Sequence, residues 1–173
     1  MGEQLFSELH RRHPDVDLVV LPPEPPLAPA PEASEADLAA AAIAVGATGR
    51  HLWTTLAPDA VDDPVVRWSF AADPGRVRVT ARAVERRADG PAPLTSLRRE
   101  LEAHGWAVAR AAAPGGAVER LVGRLDDLEV TATWAAGAGA VVLTVASRPL
   151  VVGVERAATL AGRRPRAVAG GEG

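Results

Sequence analysis

The residues able to do chemistry are few, and their types limit what that chemistry could be. The stretch LEAHGWAV, Leu101 to Val108, sets His104 between a carboxylate and a glycine, with Trp106 beside them. A histidine in such company is a candidate acid or base. His10 and His13 stand three apart ahead of Asp15 and Asp17, and two histidines on one helical turn with a carboxylate can bind a metal. His51 sits beside a tryptophan in an alanine-rich run, and Asp59, Asp62 and Asp63 crowd the segment PDAVDDP. Arg67, Arg76, Arg78 and Arg82 fall within one short stretch, with Arg86 and Arg87 close behind. Guanidinium groups in that number suit an acidic protein segment, anionic lipid or nucleic acid.

Most of these patterns have a plainer reading. His13 precedes Pro14, which disfavours helix at His13, so the first histidine pair reads as a polar helix end and no metal is assigned. The aspartates lack the twelve-residue alternation of a calcium loop and read as turn residues. The glycine-rich pieces APGGA, WAAGAGA and AGGEG never continue into the lysine and hydroxyl of a phosphate loop. No serine stands in a nucleophile elbow. Read as a helix end, LEAHGWAV places His104 at the C-cap, Gly105 where a left-handed residue is wanted, and Trp106 over Leu101. His51 reads as a structural histidine at a helix edge. No catalytic residue and no cofactor are expected.

Composition narrows the classes further. The chain has 173 residues and no cysteine, so disulfides, thiol nucleophiles and zinc-thiolate sites are excluded. All 19 basic residues are arginine, which removes Schiff-base chemistry. Abundant Ala, Gly, Pro and Val with no Lys, Asn or Tyr points to the coding bias of a GC-rich bacterium. Charge is uneven. Residues 1–63 hold 11 acids against 3 arginines, net −8, whereas residues 64–124 hold 11 arginines against 6 acids, net +5. An acidic front and a basic middle favour association within one molecule or between two. The start MGEQLFSELHRRHPD lacks the basic-then-apolar order of a signal peptide, and no apolar run is long enough to span a membrane, so a cytoplasmic protein is expected.

The elements that must position these residues follow from periodicity. Residues 1–21 read as a helix–strand arm, with Leu5, Phe6 and Leu9 at helical spacing and VDLVVLP as an apolar strand. Residues 22–33, proline-rich, read as an extended linker. Residues 34–164 read as a single α+β domain and 165–173 as a disordered tail. Ser34 with Asp37 opens a long helix to about Ala57, its stripe formed by Leu38, Ala42, Val45, Gly49, Leu52 and Leu56. Gly46 and Gly49 mark either close backbone approach or a break into two helices.

VVRWSFAADPGRVRVTAR alternates with period two on both sides of a turn. With residues 72–75 as the loop, Phe70 faces Val77, Trp68 faces Val79 and Val66 faces Ala81 on a dry side. Arg67, Ser69, Arg76, Arg78, Thr80 and Arg82 share the wet side. ERRADGPAP reads as a loop, LTSLRRELEAH as a short helix, WAVARAA as a strand, and VERLVGRLDD and RPLVVG as further short strands. LEVTATWAAGAGAVVLTVAS reads as a second hairpin, with Val130, Ala132 and Trp134 opposite Val145, Leu143 and Val141. VERAATLAGRR reads as a final helix. Each hairpin carries one inward tryptophan, and together these elements predict an antiparallel sheet of about four to six strands with helices packed on one face. The helix-then-hairpin order resembles small bacterial secretion-chaperone-like domains at the level of fold, without a shared motif, and fold alone does not fix function.

Three functions from different classes compete. The first is a non-catalytic protein-binding, adaptor or chaperone-like domain, with Arg67, Arg76, Arg78, Arg82 and the arm residues Val16, Leu18 and Val20 as partner-binding residues. In that reading the arm adds a strand to a sheet edge or mediates self-association. The second is a small-molecule-binding or enzymatic domain with a pocket between sheet and helix lined by His51, His104 or arginines. The third is nucleic-acid binding through the arginine face, which the acidic net charge and the inward-facing Trp68 and Phe70 disfavour.

Overall fold

The computed structural model describes residues 31–86 and 90–162. The arm with Val16, Leu18 and Val20, the linker up to residue 30, Arg87 and the tail from residue 163 lie outside the described residues.

The helical stripe predicted from Ser34 forms α1, Glu35–Leu56. Its start is a capping box. The Asp37 N–H donates to Ser34 Oγ at 3.1 Å, and the Ser34 N–H donates to Asp37 Oδ2 at 2.8 Å. These bonds fill donors that a helix start leaves open. The two glycines do not break the helix. Gly49 instead lets it lie against the sheet, because a Cβ there would stand 2.8 Å from the Ala81 Cβ.

Strands β1, Val65–Phe70, and β2, Arg76–Arg86, form the first hairpin in the register read from the alternation: Phe70↔Val77, Trp68↔Val79 and Val66↔Ala81. Val77, Val79 and Ala81 are fully buried. Two details differ from the sequence reading. Phe70 is 60% exposed, because it ends an edge strand, which has a neighbour on one side only. Strand β2 also continues through Glu85 and Arg86, read above as loop, because both pair with the neighbouring strand β6, Ala140–Ser147, opposite Val141 and Ala140.

Helix α2, Ala92–Ala103, buries Leu94, Leu97 and Leu101. Its end is the Schellman motif expected of LEAHGWAV. Gly105 has φ 79. The Trp106 N–H donates to Leu101 O at 3.0 Å and the Gly105 N–H to Glu102 O at 3.1 Å. Leu101 and Trp106 converge over Gly123, where a Cβ would meet Leu101 Cδ1 at 3.2 Å and Trp106 Cε3 at 3.4 Å. The chain then enters β3, Ala107–Ala112, β4, Val118–Leu125, and β5, Leu128–Ala135. Strand β5 pairs with β6 as Val130↔Val145, Ala132↔Leu143 and Trp134↔Val141. A two-residue strand, β7, Leu150–Val151, and helix α3, Val154–Gly162, complete the described chain.

The fold is α+β. The sheet has seven antiparallel strands in the order β1-β2-β6-β5-β4-β3, with β7 also on β2. This exceeds the expected strand number because β4 and β7, the weakest patterns, both form. One core joins Leu38, Val45, Leu52 and Leu56 of α1, the three leucines of α2 and Ala157 of α3 to the inner side chains of the sheet. Trp53, Trp68, Trp106 and Trp134 all lie in it. Their volume fills what the Ala and Val around them leave open. Among the described residues no helix is long and apolar enough to cross a membrane.

Candidate functional site

A β-strand sends alternate side chains to opposite faces, so the buried set defines the other face residue by residue. The helices cover one side of the sheet; the described residues place none on the other. The ladder pairs arrange this open face in rows. One row runs Arg67, Thr80, Ala146, Glu129, Arg124, Ala107 across the strands from β1 to β3. The next runs Val65, Arg82, Thr144, Thr131, Val122, Ala109. A third runs Val84, Val142, Thr133, Arg120, Ala111, and a fourth Arg86, Ala140, Ala135, Val118.

All four arginines expected on one side of the hairpin are there. Arg67 lies on β1, and Arg76, Arg78 and Arg82 on β2. Sequence reasoning counted Arg86 with this cluster but not on a strand, and it missed two more. Arg86 was assigned to a loop, and Arg120 and Arg124 stand on β4. The signal for the β4 pair was present: in VERLVGRL, Leu121 and Gly123 are buried while Arg120, Val122 and Arg124 alternate with them.

Few of these charges are neutralised. Arg76 pairs with Asp73 at 3.4 Å, and Arg124 with Glu129 at 3.0 Å. Among the described residues Arg67, Arg78, Arg82, Arg86 and Arg120 form no ion pair. Arg78 Nε, shielded from solvent, also lacks a hydrogen-bond partner. Between the arginines of β2 and those of β4 lies a floor of small side chains on β6 and β5: Ala146, Thr144, Val142 and Ala140, with Thr131, Thr133 and Ala135. Glu129 is the one carboxylate on this floor, and Arg124 holds it. Val65, Val84 and Val118 are exposed on the same face. Among the described residues aromatic side chains are missing from it: the four tryptophans are in the core, and Phe70 alternates with the inner set.

The histidines converge elsewhere. His51 on α1 and His104 at the end of α2 both meet Glu100. The His51 Nε2–H donates to Glu100 Oε1 at 3.0 Å. The His104 Nδ1–H donates to the Glu100 backbone O at 2.9 Å and lies 3.5 Å from its Oε1. The rings stand edge to face with centroids 6.1 Å apart. This cluster is a surface tie between α1 and α2, since each histidine side chain is 62% exposed. It does not face the space between helix and sheet where a pocket was envisaged. No group of three or more His, Asp or Glu among the described residues could hold a metal ion. Asp62 is structural, its carbonyl accepting the Trp53 Nε1–H at 3.0 Å.

The open face is therefore the candidate site, and unpaired guanidinium groups are the chemistry it offers. No protein-family model, curated protein or solved structure matches the chain. The functional reading rests on its own residues.

Proposed function

We propose that this protein is a non-catalytic binding module, adaptor-like or chaperone-like, whose open sheet face holds an anionic segment of a partner protein. One observation carries this reading: among the described residues, five arginines without a carboxylate partner share a face that no described helix covers. Guanidinium groups bind carboxylates through paired, charge-assisted hydrogen bonds. Left unmatched on one surface they repel each other, and an acidic partner removes that repulsion. Nucleic acid is the weaker reading, because the described residues of the face offer no ring on which a base could stack.

The test is a titration of labelled glutamate-rich peptide, followed by fluorescence anisotropy, against the whole chain and an Arg78→Glu/Arg82→Glu/Arg120→Glu variant. The reading expects salt-sensitive peptide binding that the variant loses. A single-stranded oligonucleotide bound more tightly than the peptide, through the same arginines, would replace it with the nucleic-acid reading. Absence of binding to both would overturn it.

A further inference from the structure

Resting on that reading, we infer that the occupant of the open face is an acidic amphipathic helix, seated on the β6–β5 floor between two rows of arginine. One row is Arg78, Arg82 and Arg86 of β2; the other is Arg120 and Arg124 of β4. The rows are three strand steps apart, β2 to β6 to β5 to β4. At about 4.8 Å per step they stand roughly 14 Å apart. A helix with its side chains is about 10–12 Å across, so it fits between the rows with room for carboxylates to meet the guanidinium groups at both flanks.

The rows are also staggered. Arg124 lies level with Thr80, between Arg78 and Arg82, and Arg120 lies level with Val84, between Arg82 and Arg86. Arginines thus alternate from one side to the other along the trough, Arg120 unpaired and Arg124 sharing its charge with Glu129 at 3.0 Å. The floor is short and carries little charge: Ala140, Val142, Thr144 and Ala146 beside Thr131, Thr133 and Ala135, with Glu129 neutralised by Arg124. Such a floor admits a close apolar stripe.

Backbone hydrogen bonding decides between a helix and an extended chain. An extended segment lying on this floor would leave its N–H and C=O groups facing alanine, valine and threonine side chains. A helix bonds its own backbone and presents only side chains. Helices already cover the inner face in this way, and a partner helix would add the third layer.

The experiment compares two labelled peptides of identical composition, each about 15 residues or four turns long. One places glutamates on both flanks of an alanine/leucine stripe; the other scrambles them so that no helical face exists. The inference expects the patterned peptide to bind on the order of tenfold more tightly and to gain helical circular dichroism on binding. Arg82→Glu and Arg120→Glu, one from each row, should each weaken it by roughly tenfold, the scale of a lost exposed pair plus a new repulsion. Thr133→Trp, which blocks the floor without changing charge, should weaken the patterned peptide and spare the scrambled one. Equal binding of both peptides would overturn the helix while leaving anionic-segment binding intact. Sensitivity to the β2 row alone would overturn the trough. If neither peptide binds, both readings fall.

Discussion

Replacing Gly49 with alanine sets two opposing effects against each other at one residue, and Gly46, on the preceding turn of α1, supplies the control. In an exposed helix Gly→Ala gains about 1 kcal/mol from backbone entropy. At Gly46 the new methyl would stand 3.5 Å from Val66 Cγ2, an ordinary contact. Gly46→Ala should therefore stabilise the fold by roughly 0.5–1 kcal/mol. At Gly49 the same methyl would stand 2.8 Å from the Ala81 Cβ, on a strand residue with no exposed surface. Neither atom can turn away, so the helix or the strand must shift by several tenths of an ångström. Overpacking of this kind costs about 1–3 kcal/mol. The propensity gain is common to both variants, so the difference between them isolates the steric cost and should itself be about 1–3 kcal/mol.

Urea denaturation followed by circular dichroism reads this directly, and a thermal scan should separate the two variants by at least about 3 °C. A second arm makes the cause specific. Ala81→Gly removes the atom that the Gly49→Ala methyl strikes, so the double variant should show a coupling of about 1 kcal/mol or more relative to the two single changes. If Gly49→Ala proves as stable as Gly46→Ala, or if the cycle shows no coupling, then α1 does not lie against β2 at this point. The account of why glycine stands there would then be wrong.

Three further outcomes test other parts of the account. Gly105→Ala meets no atom within 4 Å, so its cost is the left-handed backbone alone, about 1–2 kcal/mol, and Gly105→Asn should cost less; thermal denaturation of both checks this. The Ser34 hydroxyl and then its backbone N–H hold the Asp37 carboxyl below its ordinary value of 3.8. A carboxyl depressed in the fold stabilises above its unfolded value and loses that contribution as pH falls through the folded one, so Asp37→Asn should flatten the acid limb of stability below about pH 4. Deleting residues 1–33 should weaken self-association or partner capture on size-exclusion chromatography; unchanged behaviour would remove the arm from the binding reading.

How legible this protein was depends on how far apart the interacting residues lie in sequence. Both tryptophan hairpins could be read to the residue, since Trp68↔Val79 and Trp134↔Val141 follow from alternation about a single short turn. The helix end at His104 was equally local. What could not be read was the order of strands. Nothing in the alternation of β2 says that its other neighbour is β6, some sixty residues on, rather than β5 or β4. That one pairing, Ala83↔Leu143, joins the hairpins edge to edge and turns two modest patterns into a continuous face. It also extends β2 to Arg86.

The candidate site inherits the same division. Four of its arginines were visible because one hairpin carries them, but a single hairpin with four arginines is only a wet face. Its character changes once β4 is placed three strands away. Arg120 and Arg124 then stand opposite the β2 row, and the threonines and alanines between them become a floor. On one hairpin alone, the charges need no more than a solvated face. Their arrangement on two sides of a low, nearly neutral strip is what solvation alone does not require, since hydrated arginines scattered over both faces and all loops would keep the chain as soluble. Among the described residues, Arg67, Arg78, Arg82, Arg86 and Arg120 form no ion pair and share the face that no described helix covers, whereas only two other arginines without an ion pair, Arg50 and Arg99, lie on α1 and α2.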